Sequence, residues 1–223
     1  MKPQEVLGRD YDYDYFERGI ESGKSCYTLY KWLPELTTSL AMSYIDYLGL
    51  TRNHMILDYG CAKGFVVKAL RILYRQAWGC DISEYAINSA DNATRQYLKV
   101  SSLKPSHNIV PFFIGKKKCF DYILAKDVFE HIDEKELDII LQVLREKGKY
   151  LFACQPLGDS GQFVVPAYNM DITHRTIQNK DWWTTKFKKN GWNIVKFSYY
   201  VKGIKESWSN FEKGNGFFLL KSR

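Results

Sequence analysis

One heptapeptide, Asp58-Tyr-Gly-Cys-Ala-Lys-Gly64, narrows the fold more than any other feature of the chain. It lies between a short apolar run, Met55-Ile-Leu57, and a stretch of helical apolar spacing from about Gly64 to Arg75. Glycines at such a strand-to-helix turn let the backbone reverse tightly and let a ligand approach the helix N-terminus. A second apolar run, Ala77-Trp-Gly-Cys80, ends in Asp81, where a carboxylate can accept from both hydroxyls of a ribose. The pattern predicts a nucleoside-bearing ligand seated over the edge of a sheet.

The same alternation continues downstream. Ser83 caps a predicted helix to about Tyr97, and Phe120–Ala125 reads as a strand. Asp133 opens a helix to about Arg145, and Lys149–Cys154 is a further strand. Alternating helices and strands predict an α/β fold, a parallel sheet with helices on both faces. Lys99 to Lys118 is less regular, so a weak third strand and a loop are expected there. Upstream, Asp10-Tyr-Asp-Tyr-Asp-Tyr-Phe16 alternates acid and aromatic before Gly19 and Gly23, which reads as an ordered arm or lid. A helix is predicted over Tyr27–Leu48 with Gly49 as its C-cap. Downstream, Asn179 caps a helix through Asn190, with Gly191 as its stop. Trp192–Val201 and Gly216–Leu220 then follow with no crossover helix between them, so they must pair antiparallel. A single domain over 1–223 is expected: an arm and lid helix (1–50), a cofactor-binding core (51–155), and an acceptor loop with an antiparallel edge (156–223).

Composition removes other classes. With 45% apolar and 16% aromatic residues the chain can build a sizeable core. No apolar stretch reaches the ~18 residues of a membrane span, and Met1-Lys-Pro-Gln-Glu5 lacks the apolar region of a signal peptide, so a cytoplasmic protein is expected. Five cysteines without a C-x-x-C pair argue against a disulfide framework or a zinc cluster. From Lys180 to Arg223 there are ten Lys/Arg and three Asp/Glu, so the whole net charge of +7 lies in this C-terminal region. Such a face can attract nucleic acid, and it can equally be a solvated surface.

Asp58 chooses between ligands. A dinucleotide would place its pyrophosphate over this turn, and a carboxylate two residues before the first glycine would repel it. The spacing is Gly60-x-x-x-Gly64, with bulky Phe65 following, rather than G-x-G-x-x-G. A ligand carrying an ammonium and a sulfonium has the opposite preference, and S-adenosylmethionine is such a cofactor.

Three runs together carry a resemblance: Ile56 to Val67, Gly79 to Ile87, and Phe120-Asp-Tyr-Ile-Leu-Ala-Lys-Asp-Val-Phe-Glu-His-Ile132. As a set they resemble the class I S-adenosylmethionine-dependent methyltransferases, closely over about Met55 to Cys154 and more loosely beyond. The resemblance implies a Rossmann-like seven-stranded sheet, mostly parallel, whose last strand is antiparallel. It implies that Asp58, Tyr59, Gly60, Cys61, Ala62 and Gly64 hold the methionine end of the cofactor. Asp81 would bind the ribose, Ile82 would lie against the adenine, and Lys126 and Asp127 would line the methionine side. The chain departs from the pattern twice: Ala62 replaces the usual middle glycine, and Ser101-Ser102-Leu103 stands where an acidic residue often meets the adenine amine.

Methyl transfer from a sulfonium is an in-line displacement with an activated leaving group, so the protein must align the nucleophile and, for a hydroxyl, remove its proton. Of four histidines, His54 precedes a strand and His107 lies in the irregular loop. His174 is the expected general base, oriented by Asp171; the Asp171-Ile-Thr-His174 element resembles one found in similar methyltransferases, and Phe163, Tyr168 and Met170 could wall an acceptor pocket. The alternative is that Asp171 and His174 only pin this loop. Asp127-x-x-Glu130-His131 also resembles the E-x-x-E-H metal site of quinol-ring O-methyltransferases and of enzymes that methylate small-RNA 3′ ends. With His174 as a fourth ligand, that resemblance implies Mg²⁺ or Mn²⁺. An oxygen of a small molecule, sugar or glycan is the expected acceptor. The basic tail and Trp182, Trp183, Trp192, Tyr199, Tyr200 and Trp208 keep RNA as an alternative. A non-catalytic cofactor-binding partner subunit is a further one.

Overall fold

The computed structural model describes residues 8–103, 108–113 and 115–223; His107 lies outside them. Among the described residues there are nine strands: β1 (Met55–Tyr59), β2 (Gln76–Asp81), β3 (Leu98–Val100), β4 (Phe120–Lys126), β5 (Gly148–Pro156), β6 (Gly158–Asp159), β7 (Gln162–Phe163), β8 (Trp192–Ser198) and β9 (Asn215–Ser222). The helices are α1 (Tyr13–Glu17), α2 (Gly19–Ser22), α3 (Pro34–Leu48), α4 (Phe65–Ile72), α5 (Glu84–Asn88), α6 (Asn92–Arg95), α7 (Glu134–Lys147) and α8 (Lys180–Lys189). No helix among them is long and apolar enough to cross a membrane.

Seven strands form one sheet in the order β3-β2-β1-β4-β5-β9-β8, and β6 pairs with β7 as a separate small hairpin. The pairs from β3 to β5 are parallel, and β9 runs antiparallel to both β5 and β8. The expected mostly parallel sheet with an antiparallel last strand is therefore present. The last strand is not its border, however: β9 lies inside and β8 forms the edge. Strand order reverses direction between β1 and β4, and ligands of such sheets bind beyond the carboxyl ends at that switch. Those ends carry Asp58 and Tyr59 from β1 and Lys126 from β4.

Strand parity builds two cores. Ile123, Leu151 and Ala153 face the layer with α7, α8 and the fully buried Trp183 and Trp192. Leu124, Phe152 and Cys154 face the layer with α3 and α4. Burial of each such Leu, Ile or Phe contributes roughly 1.5–3 kcal/mol. Because Trp183 and Trp192 are core residues, they are not available to stack on bases.

Two helices differ from the sequence expectation for local reasons. The helix predicted from Tyr27 starts at Pro34, which suits a first turn but cannot continue an earlier helix. Residues 27–33 run irregularly instead, with the Leu29 and Tyr30 N–H groups bonded to the Glu17 and Phe16 carbonyls. The helix capped by Ser83 breaks after Asn88, because Asp91 adopts an extended conformation and caps a second short helix, α6, through the Thr94 N–H.

Candidate active site

The glycine turn closes against β2 and β4. Gly60 has φ 78°, and a Cβ there would sit 2.4 Å from Val128 Cγ2. Gly64 has φ 72°, and its Cβ would meet Leu98 Cδ1 at 2.5 Å. Both positions need glycine for conformation and for space. Ala62 also has a positive φ, 47°, which strains a residue with a Cβ. Its N–H donates to Asp81 Oδ2 at 2.7 Å, and the Ser83 N–H donates to Oδ1 at 2.8 Å. Each Asp81 oxygen thus keeps acceptor capacity for a hydroxyl. Burial raises the Asp81 pKa, with these backbone donors acting in opposition.

Asp58 is 7% exposed. Burial first, then the neighbouring Asp81, pushes its carboxyl up to about 7, and Lys126 counters only in part. This is a carboxylate whose ionised form is short of positive charge. The turn's own cation does not supply it, because Lys63 points to the Glu17 carboxylate and to the Tyr30 carbonyl at 2.8 Å.

A cavity of about 500 Å³ opens between Asp58, Asp81 and the N-terminal arm, whose Tyr11, Tyr15, Phe16 and Tyr30 close over it. Ile82, Ser101 and Leu103 line it as well, together with Asp133 and Glu136 from the start of α7. Three polar ties fasten the arm: the buried Lys63–Glu17 ion pair, Tyr85 Oη donating to Glu17 at 2.9 Å, and Ser83 Oγ donating to the Tyr11 carbonyl at 2.6 Å. The aromatic arm lines one side of the predicted site.

At the end of β4, Asp127 adopts φ 56° and is gripped by two ammonium groups, Lys126 Nζ at 2.5 Å and Lys205 Nζ. Burial alone would raise its pKa, but the two cations hold it well below the usual carboxylate range. Burial also disfavours the Lys126 ammonium, yet Asp127 outweighs it and keeps the Lys126 pKa well above its ordinary value. Lys205 reaches this point from the connection between β8 and β9 and lies 4.4 Å from the Tyr168 ring centroid. Nothing local in the sequence marked it.

Glu130, His131 and His174 converge, one ligand atom of each lying within 4.8 Å of the others. Asp127 is not part of this group, because the two lysines occupy it. The four-residue metal set therefore reduces to three. Glu130 Oε2 is buried without a hydrogen-bond partner, and burial, then Asp127, raises the Glu130 pKa well above its ordinary value.

The two imidazoles differ in position. His131 lines the cavity beside Asp58 and Asp81; His174 lines a separate hollow with Phe163 and Tyr168, its ring tilted at 41° to that of His131 with centroids 4.5 Å apart. His174 Nδ1 lies 2.7 Å from the Tyr168 carbonyl, so that carbonyl orients its ring. The expected Asp171–His174 pairing is not made: Asp171 accepts from Thr173 and from Tyr15 Oη at 2.9 Å. Burial lowers the pKa of both rings, His131 to about 4 with His174 as the next cause.

The family described as "Methyltransferase domain" matches residues 35–200. The ribosomal protein L11 methyltransferase of Legionella pneumophila (strain Corby) is 23% identical over 155 residues, covering 66% of this chain and 49% of that protein. The chain spans about half the length of the curated relatives it matches. Among solved structures, an S-adenosylmethionine-dependent methyltransferase from Archaeoglobus fulgidus superposes with TM-score 0.64 at 16% identity, covering 85% of this chain and 95% of the other. Magnesium protoporphyrin IX methyltransferase from Synechocystis PCC 6803, solved with bound S-adenosylhomocysteine, gives TM-score 0.58 at 13% identity, with 85% and 83% covered.

Proposed function

The chain belongs to the class I S-adenosylmethionine-dependent methyltransferases, and we propose that it methylates an oxygen of a small molecule, sugar or glycan held beside His131. The observation that carries this reading is the placement of Asp58, Asp81 and His131 around one cavity closed by an aromatic arm. S-adenosylmethionine supplies an activated methyl group on a sulfonium. Asp58 offers its under-compensated carboxylate to the cofactor's ammonium, Asp81 accepts from the ribose hydroxyls, and Lys126 faces the methionine carboxylate. His131, kept neutral by burial, has a basic nitrogen for the acceptor's hydroxyl proton, and the arm excludes water.

Two features favour a small acceptor over RNA. Of the basic residues in the tail, Lys186 and Lys205 are already engaged with Asp138 and Asp127. Trp183 and Trp192 lie in the core. The curated relatives are named for a ribosomal protein, so a protein acceptor belongs in the same screen.

Metal assistance is a second reading, favoured by the orphaned Glu130 Oε2 beside two imidazoles. Glu130, His131 and His174 would hold the ion, which would acidify an acceptor hydroxyl. Without Asp127 the donor set has one oxygen and two nitrogens, which suits Mn²⁺ better than Mg²⁺.

The test is calorimetry followed by a methyl-transfer screen. S-adenosylhomocysteine should bind, and Asp81→Ala should weaken it by roughly 1.5–3 kcal/mol through lost charge-assisted bonds. Labelled methyl should pass to glycans or small hydroxyl compounds rather than to RNA or protein. Activity lost to a chelator and restored by Mn²⁺ would establish the metal reading. Binding of NAD with no response to the methyl donor would overturn the whole assignment, and cofactor binding with no transfer to any acceptor would favour a partner subunit.

A further inference from the structure

Among the hydrogen bonds that join the arm to the acceptor side, one line reaches His131. Tyr15, in α1 and 4% exposed, donates its hydroxyl to Asp171 Oδ2 at 2.9 Å. Asp171 Oδ1 accepts from the Thr173 N–H at 2.9 Å and from Thr173 Oγ1 at 2.6 Å. Thr173 Oγ1 lies 2.8 Å from His131 Nδ1. Thr173 has a single hydroxyl proton, and Asp171 takes it. Its oxygen can then only accept from the ring, so Nδ1 of His131 must carry the hydrogen.

We infer that Tyr15, Asp171 and Thr173 form a positioning relay that holds His131 in the Nδ1–H tautomer, so that closure of the arm leaves the Nε2 lone pair for the cavity. The use made of that lone pair rests on the function proposed above; the tautomer does not. His131 lines the cavity, and Nδ1 is the ring nitrogen that meets the Thr173 hydroxyl. The Thr173 hydroxyl links the ring's Nδ1–H to the Asp171 carboxylate. The arm's Tyr15 holds that carboxylate in register. Tyr15 thus couples the arm's position to the ring through Asp171 and Thr173, beside the Tyr11 ring that packs edge-on against His131 at 5.9 Å between centroids. Asp171 and Thr173 act through His131 and need touch neither cofactor nor acceptor.

Nitrogen-15 NMR of the full chain with S-adenosylhomocysteine reads the tautomer directly. The sequence has four histidines, and His131→Gln assigns the resonance. The wild type should show a protonated Nδ1 and a bare Nε2 near neutral pH. Thr173→Val keeps the shape and deletes the hydroxyl, and should move His131 toward the other tautomer or a mixture. Thr173→Ser should restore the wild-type pattern. Tyr15→Phe, which leaves Thr173 in place, should give a partial shift. Loss of the supporting hydrogen bond should lower kcat about tenfold to hundredfold in Thr173→Val while S-adenosylhomocysteine Kd stays within about threefold. A wild-type ring protonated at Nε2, or a Thr173→Val spectrum identical to wild type, overturns the relay whatever the kinetics. A lost tautomer with full kcat confirms the relay and instead removes His131 from the chemistry.

Discussion

Asp58 is held in a state that costs the free protein stability, and removing its charge should show this. An aspartate ordinarily titrates at 3.8, and in this fold burial and Asp81 bring it to about 7. The folded chain keeps a proton that the unfolded chain has released, so this group's contribution to stability falls as pH rises from about 4 to about 7 and is flat above. Fully expressed, that gap corresponds to roughly 4 kcal/mol. Relaxation and water entry reduce it, and Asp58→Asn should recover about 1–3 kcal/mol at pH 8. For a chain of this size that raises Tm by about 2–4 °C per kcal/mol. At pH 5 the folded carboxyl is still neutral while the unfolded one is already largely ionised, so only about a third of the gap has opened and the two melts should differ less than at pH 8. The same substitution removes the partner of a cofactor ammonium and should weaken S-adenosylhomocysteine by roughly 1.5–3 kcal/mol at pH 8. Thermal melts at pH 5 and pH 8, with calorimetry at pH 8, separate the two effects. A variant that melts lower than wild type at pH 8 and still binds S-adenosylhomocysteine fully would refute the reasoning, since Asp58 would then be only a cap for the turn.

Ala62→Gly should stabilise the fold by about 0.5–1 kcal/mol in denaturant unfolding, because φ 47° strains alanine. His131→Ala should lower kcat by about 10²–10⁴ and His174→Ala by less than tenfold; equal losses would point to shared metal ligation instead. Lys63→Met breaks the buried pair with Glu17 and should free the arm, read as faster S-adenosylhomocysteine dissociation and faster proteolysis near Glu17, with the core's melting little changed.

The strands and the cofactor turn were legible because their signals are local. Met55–Leu57, Phe120–Ala125 and Lys149–Cys154 are apolar runs, and Gly60, Gly64, Asp58 and Asp81 need only the strand-end geometry to converge. The acceptor side was not legible in the same way. Which of His131 and His174 faces the cavity depends on packing of the 3-10 turn Phe129–His131 against residues 171–176, whose Arg175 and Thr176 N–H groups both bond the Glu130 carbonyl. Spacing along the chain carries no information about that contact. Asp171 looked like a histidine partner because it is three residues from His174, yet Thr173 lies nearer in the turn and Tyr15 arrives from the far end of the chain. Lys205 is a similar case: its alignment with Asp127 is created by a long excursion between two strands.

The position of β9 also dictates an order of assembly. It bonds β5 on one side and β8 on the other, although β8 precedes it in the chain. As the polypeptide leaves the ribosome, β1 to β5 can associate through parallel crossovers while β8 has no neighbour to join. Its backbone N–H and C=O groups on the side toward β9 stay unpaired until β9 is synthesised and inserts between the two. The final docking step therefore closes the Trp183–Phe187–Phe218 cluster all at once. A nascent chain stalled before β9 exposes two open strand borders, at β5 and β8, and these are natural clients for a chaperone.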